Sequence, residues 1–176
     1  MIYVSHSSTE TFLLGHKINF INEGRITFQG TKTDAFDYFN KKYDQNHTNN
    51  FFKGKVSNLC QKSNITEIKV GNQKLLVFSK NLKITQDVLI RIKSTDLIIS
   101  KIIPKDISAL NFLNLKLNDY KILKDLVTLY FNFNETFIKA SITKASFDKL
   151  KLKKKTKYFI LIKAININEV MSFSLT

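Results

Sequence analysis

The stretch Val88-Leu-Ile-Arg-Ile-Lys-Ser-Thr-Asp-Leu97 decides the fold class, because it returns 70 residues later as Tyr158-Phe-Ile-Leu-Ile-Lys-Ala-Ile-Asn-Ile167. Both copies alternate apolar with polar or small residues, as half-buried strands do. Both continue from an isoleucine into a lysine, Lys93 or Lys163. A fixed period usually reflects repeated architecture, so the chain is predicted to be mainly β, with two five-stranded, OB-like barrels in tandem.

Short strands surround both copies of this repeat. Turn signals at Gly71-Asn72 and Asn132–Asn134 separate the apolar runs. The predicted strands are Phe52–Leu59, Ile65–Val70, Lys74–Phe78, Asp87–Lys93, Asp96–Ser100, Asn111–Leu117, Leu123–Phe133, Glu135–Thr143, Lys157–Ala164 and Asn166–Ser174, with one helix at Lys144–Leu150. The only proline, Pro104, marks the boundary between a first barrel, residues 51–103, and a second, residues 104–176. Strands this short and regular favour small barrels over a sandwich.

The segment ahead of the barrels has a different pattern. Residues 1–40 predict a strand at Met1–Ser5, helical turns around Ser8–Gly15 and Asp34–Phe39, and a hairpin of Lys17–Asn22 with Arg25–Gln29. This order is typical of the last edge of an α/β nucleotide-binding domain. Residues 41–50 are polar and aperiodic, and they predict a linker.

Composition narrows the function classes. The net charge of +14 is carried almost entirely by lysine, since Arg25 and Arg91 are the only arginines. Nucleic-acid binders rely on arginine for bidentate contacts, so nucleic acid is disfavoured as a partner. A lone cysteine, Cys60, and three scattered histidines predict a reducing compartment and no metal site. No apolar run approaches the roughly 20 residues of a membrane span, which predicts a cytoplasmic protein.

Three short motifs in the second half resemble the anion-contacting motifs of the Mop or TOBE domain. They are Ser108-Ala109 followed by Asn111, Thr143 at the end of Ala140-Ser-Ile-Thr143, and Lys163-Ala164. This domain forms the C-terminus of the ATP-binding subunit of molybdate ABC importers and binds a tetrahedral oxyanion at a subunit interface. The resemblance implies molybdate or tungstate as ligand, a homodimer through this domain, and an oxyanion site made of Ser108, Ala109, Asn111, Thr143 and Lys163.

Two departures from the family pattern bear on that site. Leu110 stands where the family has arginine, and Ile165 stands where it has serine. Losing a bidentate cation and a hydroxyl is expected to weaken anion binding by ~1–3 kcal/mol each.

The N-terminal stretch Tyr3-Val-Ser-His-Ser7, with Glu23-Gly-Arg-Ile26 and Gly30 further on, resembles the end of an ABC ATPase domain. The resemblance implies that residues 1–40 are a remnant of that domain and that His6 corresponds to its catalytic switch histidine. In this remnant alone, His6 is expected to be inactive. Sugar importers usually have Thr-His-Asp where this chain has Ser5-His6-Ser7, which favours molybdate. No G-x-x-x-x-G-K-[S/T] loop occurs in the sequence, and the signature and Walker B segments are absent too. We therefore expect no ATP hydrolysis and no bound cofactor, with ATP and magnesium only in a full-length parent.

The expected function is that of the regulatory, oxyanion-binding region of a molybdate importer's ATP-binding subunit. The resemblance adds a membrane permease as partner and a location on the inner face of the membrane. Met1 is expected to mark a truncated gene product, a fragment of the gene or an internal start. The alternatives are an importer subunit for sulfate, iron or sugar, a free-standing molybdate- or tungstate-binding protein, and an OB-fold nucleic-acid binder.

Two further patterns allow two interpretations each. Phe131 and Phe133 are predicted to face the core, although an OB-fold that binds bases would expose such aromatics. The lysine-rich run Lys151–Lys157 is most simply a solvated loop, and a phosphate- or lipid-facing patch is the alternative.

Overall fold

A computed structural model describes residues 2–6, 10–11, 15–31, 34–35, 38, 49–60, 62–134 and 136–173. The chain divides into two compact units, residues 1–47 and residues 48–176. Each unit is described by itself below.

The first unit contains an antiparallel hairpin of β1 (Lys17–Asn22) and β2 (Arg25–Thr31). Its turn holds Gly24 at a φ of +73°, a left-handed conformation that glycine adopts without steric cost. The hairpin is confirmed, but residues 2–5 are not in a strand, so the strand predicted at Met1–Ser5 is wrong there. The helical turns predicted around Ser8–Gly15 and Asp34–Phe39 lie largely outside the described residues, and the ATPase remnant stays a prediction.

The second unit consists of two five-stranded antiparallel sheets. Its elements are β3 (Asn49–Cys60), β4 (Ile65–Val70), β5 (Gln73–Phe78), β6 (Asp87–Lys93), β7 (Ile98–Ser100), β8 (Asn111–Leu123), β9 (Leu126–Phe133), β10 (Thr136–Thr143), α1 (Lys144–Leu150), β11 (Lys157–Ile162) and β12 (Ile167–Phe173). The first sheet has the order β5-β4-β3-β6-β12, and the second has the order β10-β9-β8-β11-β7. The predicted β-rich, OB-like architecture with a single helix in this half is confirmed.

The two sheets exchange their last strands. β7 follows β6 along the chain but pairs with β11 of the second sheet, through Ser100 with Phe159 and Ile98 with Leu161. β12 follows β11 but pairs with β6 of the first sheet. Each sheet is therefore completed by a strand from the other half of the sequence, and the two halves are interlocked.

The same backbone path occurs twice. β6 and β11 occupy equivalent places in the two sheets, which agrees with the 70-residue repeat, and so do β3 and β8. Lys93, the last residue of β6, and Lys163, the residue after β11, have nearly identical dihedrals, with φ −70° and ψ 137° at Lys93 and φ −70° and ψ 138° at Lys163. A short 3₁₀ turn comes next in each half, Ser94–Asp96 and Ala164–Asn166. We call these the first turn and the second turn.

The core lies between the sheets and continues through both. Alternate residues of β8 are buried from Asn111 to Leu117, as the period of a half-buried strand requires. Phe131 and Phe133 are completely buried, which confirms the prediction that they face the core. Phe133 of the second sheet contacts Phe52 of the first, with 4.6 Å between ring centroids. The two halves therefore share one hydrophobic core.

Several predicted boundaries are corrected. β8 continues to Leu123 through a bulge between Leu117 and Asp119, so the strand end predicted at Leu117 is wrong, and β9 begins at Leu126 rather than Leu123. A bulge accommodates polar residues such as Asn118 and Asp119 without ending the strand. Asp96, Ala164 and Asn166 were predicted to lie in strands but lie in 3₁₀ turns.

The predicted division into four segments stays a prediction. β3 begins at Asn49, inside the linker predicted at residues 41–50, of which residues 41–48 lie outside the described residues. The boundary predicted between residues 51–103 and 104–176 does not coincide with the sheets, because β7 and β12 each belong to the sheet of the other half.

Candidate functional site

Lys163, the residue before the second turn, lies on the surface beside the start of β8. Ile162, the last residue of β11, pairs with Asn111, the first residue of β8. Continuing this antiparallel register sets Lys163 beside the segment that ends in Leu110. Lys163 is exposed and Ala164 after it is buried, so the backbone fixes the direction of the lysine.

Two of the five predicted oxyanion residues, Asn111 and Lys163, are brought close by the pairing of Asn111 with Ile162. Ser108 and Ala109 belong to the short segment that leads into β8. Ser108 is exposed, whereas Ala109 is buried. The arrangement offers an exposed ammonium and hydroxyl beside a short stretch of backbone, which are groups that an anion requires to offset its loss of water.

Asn111 holds the second turn in place. Its amide nitrogen donates to the carbonyl of Ile162 (3.3 Å) and to the carbonyl of Leu76 on β5 (2.9 Å), and its Oδ1 accepts from the Leu76 N–H (2.7 Å). An asparagine amide has two protons to donate. Both are used inside the protein, so Asn111 positions its neighbours rather than donating to a ligand.

Asn50 repeats this arrangement in the other half. Its amide nitrogen donates to the carbonyls of Ile92 (3.2 Å) and Lys139 (2.9 Å), and its Oδ1 accepts from the Lys139 N–H (2.7 Å). β5 and β10 are edge strands of their sheets, so each asparagine covers the edge strand of the opposite sheet. The pair ties the two sheets together at both ends.

Thr143 is engaged at the start of α1. It caps α1 by accepting from the Ser146 N–H (3.1 Å) and donates to the Ser146 Oγ (2.9 Å). β10, which ends at Thr143, packs against the first turn, whereas the second turn packs against β5. The structure therefore does not bring Thr143 to Lys163 through these contacts.

The first turn has more polar side chains than the second, although no sequence motif marked it as part of a site. Lys93 is exposed, Thr95 is exposed, and the buried Ser94 hydroxyl lies 2.8 Å from that of Ser141 on β10. The second turn has alanine and isoleucine where the first has serine and threonine. The available signal was the repeat itself, because the offset of 70 residues maps Lys163 onto Lys93.

The N-terminal candidate can be placed only locally. His6 is exposed. Close to it, the hydroxyls of Tyr3 (3.1 Å) and Ser5 (2.5 Å) both donate to the Glu10 carboxylate. The hydrogen bond to that carboxylate raises the pKa of the Tyr3 phenol. These contacts order the start of the chain and do not by themselves make His6 catalytic.

Among the described residues, no group of three or more histidine, cysteine or acidic side chains is arranged to hold a metal ion. No helix among the same residues has both the length and the apolar character needed to cross a bilayer.

The interlocked sheets and the paired lysine turns define a protein with tandem OB-like barrels of the Mop type. No protein-family model matches the sequence. The sequence is nevertheless similar along almost its whole length to molybdenum import ATP-binding proteins ModC. That of Brucella abortus (strain 2308) is 25% identical over 169 residues, which are 96% of this chain and 46% of the relative. That of Rhizobium johnstonii is 22% identical over 166 residues, covering 94% and 47%. The predicted resemblance is confirmed, and the chain spans about half the length of these curated relatives.

A solved structure has the same fold. The cytoplasmic molybdate-binding protein ModG, in a crystal form with molybdate bound, superposes with a TM-score of 0.61 and 21% sequence identity. The match covers 68% of this chain and 94% of ModG. At this level of identity the likeness concerns the fold alone.

Proposed function

We propose that this chain is the oxyanion-binding, regulatory region of the ATP-binding subunit of a molybdate-type ABC importer. The observation that carries the proposal is made beside the second turn, where the buried Asn111 donates to the carbonyl of Ile162, the residue before Lys163. Ala109 and Ser108 stand two and three residues before Asn111 in the sequence. The similarity to ModC proteins over 96% of the chain supports the importer context.

The ligand that fits is a tetrahedral dianion, molybdate or tungstate. Lys163 supplies the full positive charge, Ser108 supplies a hydroxyl, and backbone N–H groups near Ala109 supply further donors. Asn111 fixes the relative position of these groups. Because Leu110 and Ile165 replace a cation and a hydroxyl of the family pattern, the affinity is expected to be low.

The site is proposed to be completed in a homodimer. Leu110 and Ile165 flank Lys163 and are 48% and 65% exposed. A second copy packed on these apolar side chains would remove them from water and shield the anion, and it could bring Thr143 to the site. Water exclusion strengthens every charge interaction with the ligand.

In the full-length subunit the anion would act as a regulator. If the dimer binds it more tightly in one arrangement of the two motor halves, occupancy favours that arrangement. The membrane permease would then be the partner of the whole subunit, which would lie on the inner face of the membrane.

The first test is titration of the purified chain with molybdate and tungstate by calorimetry, with sedimentation to follow its mass. We expect weak binding of both anions and a shift from monomer to dimer as the anion is added, because a ligand at an interface stabilises the dimer by mass action. A monomer that binds molybdate without associating would contradict the interface site. A chain that binds neither anion would contradict the proposed function.

A second test concerns ATP. We expect the purified chain to hydrolyse no ATP above the buffer rate, because the sequence has no phosphate-binding loop, and His6→Ala should change nothing. Phosphate release in a coupled assay measures this. Turnover that disappears in His6→Ala would contradict the assignment of residues 1–40 as an inactive remnant.

A free-standing molybdate- or tungstate-binding protein is the second candidate. The fold match supports it, because 94% of ModG, a molybdate-binding protein, is covered by this chain. The two candidates share the site and differ in the partner: only an importer subunit would bind a membrane permease.

A further inference from the structure

A second basic site lies at the opposite end of β11 from Lys163. Four lysines line one cavity of about 480 Å³, together with Thr156 and Tyr158. The lysines are Lys101, Lys151, Lys153 and Lys157. Lys157 begins β11 and Lys163 follows its end, so the two sites are separated by about 20 Å at roughly 3.3 Å per residue.

Within the described residues, no carboxylate neutralises the charges of these lysines. No ion pair joins any of the four to a carboxylate in the part of the chain that the structure describes. Their neighbour Lys154 differs, because it pairs with Asp119, and this hydrogen bond lowers the pKa of Asp119 and raises that of Lys154. The chain thus pairs one lysine of the loop and leaves four others around the cavity.

The loop that carries Lys151 and Lys153 is held by defined contacts. Lys155 N–H donates to the Leu117 carbonyl (2.7 Å), and Leu117 N–H donates to the Thr156 carbonyl (2.9 Å). Lys153 N–H donates to the Tyr158 hydroxyl (2.8 Å), and Leu152 is buried. The backbone between α1 and β11 is therefore fixed against β8, and the lysines start from fixed positions.

The first half of the chain contains the same loop with fewer lysines. Thr85 N–H donates to the Val56 carbonyl (2.9 Å) and Val56 N–H donates to the Gln86 carbonyl (2.9 Å), as Lys155 and Thr156 do with Leu117. Thr85 has a φ of 67° and Lys155 a φ of 64°. Asn81, Lys83 and Asp87 stand 70 residues before the cavity lysines Lys151, Lys153 and Lys157. The fold of the loop does not require lysine at positions 151 and 157, so the higher concentration of lysines in one copy needs another reason.

We propose that this cavity binds a soluble anion with two or more linked phosphoryl groups. Lysine is a point-charge donor suited to phosphate oxygens, and four ammonium groups match a chain of phosphates better than a single small anion. Tyr158 is only 3% exposed, so its ring is not available to stack on a base, and the site recognises phosphates rather than a nucleic acid. Lys101 follows β7, which comes from the first half, so strand exchange completes the site.

The test uses inorganic tripolyphosphate and the full chain in calorimetry at physiological salt. Lys151→Gln/Lys153→Gln removes two charges from the cavity. Lys80→Gln/Lys83→Gln removes two from the equivalent loop of the first half, where both lysines are also exposed. We expect the first variant to bind tripolyphosphate at least tenfold more weakly and the second to bind it as the wild type does.

Three results would overturn the proposal. The first is no binding of tripolyphosphate. The second is equal weakening of binding in the two variants, which would indicate a diffuse effect of net charge, and the third is binding only to vesicles of phosphatidylglycerol, which would indicate a lipid-binding surface. Because the cavity and Lys163 lie at opposite ends of β11, Lys151→Gln/Lys153→Gln should not change molybdate binding. The failure of one site is therefore distinguishable from the failure of the other. Thermal unfolding of both variants checks that they fold.

Discussion

Replacing Asn111 by alanine is expected to lower the free energy of unfolding of the barrel unit by about 2–4 kcal/mol. Asn111 is 3% exposed and makes three hydrogen bonds to the backbone of Ile162 and Leu76. Alanine would leave two carbonyls and one N–H without their partner at a buried junction, and each such group costs about 1–3 kcal/mol. The costs are not additive, because water can enter the gap and solvate some of these groups.

The internal repeat supplies a replicate of this experiment. Asn50 makes the equivalent bonds to Ile92 and Lys139 and is 4% exposed, so Asn50→Ala should cost a similar amount. Asn114 is the matched control, since it is an asparagine on the same strand as Asn111 but is exposed. Asn114→Ala should change stability by no more than about 0.5 kcal/mol. Urea unfolding measures all three. Equal, small effects at all three positions would show that the asparagines do not join the sheets.

Local pattern predicted much of this structure. The strands Ile65–Val70 and Asp87–Lys93 and the helix Lys144–Leu150 have the bounds that alternation and helix signals indicate. Thr143 is an example: its hydroxyl accepts from the Ser146 N–H, so the helix start is specified by two residues three positions apart. Such features depend on near neighbours in the sequence, which is why they can be read from it.

The interlock of the two halves was not predictable in the same way. Pairing of β7 with β11 rather than with its own sheet is decided by which edge is free in the folded state, not by the three residues of β7. In the sequence, Asn50 and Asn111 have the pattern of ordinary loop residues. Their role depends on hydrogen bonds to the edge strands β10 and β5, which are distant in the sequence. Thr143 caps α1 at the end of β10, which packs against the first turn, whereas Lys163 precedes the second turn, although the sequence motifs placed them in one site.

Restoring the missing cation is the sharpest test of the anion site. Leu110→Arg should tighten molybdate binding by about tenfold or more, which corresponds to one charge-assisted hydrogen bond of ~1.5–3 kcal/mol. Leu110 precedes Asn111, and Lys163 follows Ile162, the residue that pairs with Asn111. Continuing this register sets position 110 beside Lys163, so the new guanidinium would start next to the existing ammonium. Leu123→Arg is the matched control, because it makes the same substitution at an exposed leucine at the far end of β8, where the side chain is 68% exposed. It adds the same net charge, and we expect no gain in molybdate affinity.

Removing Lys163 tests the same site from the other side. Lys163→Ala should abolish molybdate binding, because the Lys163 ammonium is the only full positive charge proposed for this site. Hydroxyl and N–H dipoles alone do not offset the free energy of dehydrating a dianion. The repeat provides the comparison, since Lys93 has the same backbone dihedrals at the first turn. If Lys93→Ala abolishes binding and Lys163→Ala does not, the anion binds at the first turn, where Thr95 retains a hydroxyl. Calorimetry with Lys163→Ala, Lys93→Ala and Leu110→Arg thus separates the two turns, and unchanged affinity in all three would place the anion at neither.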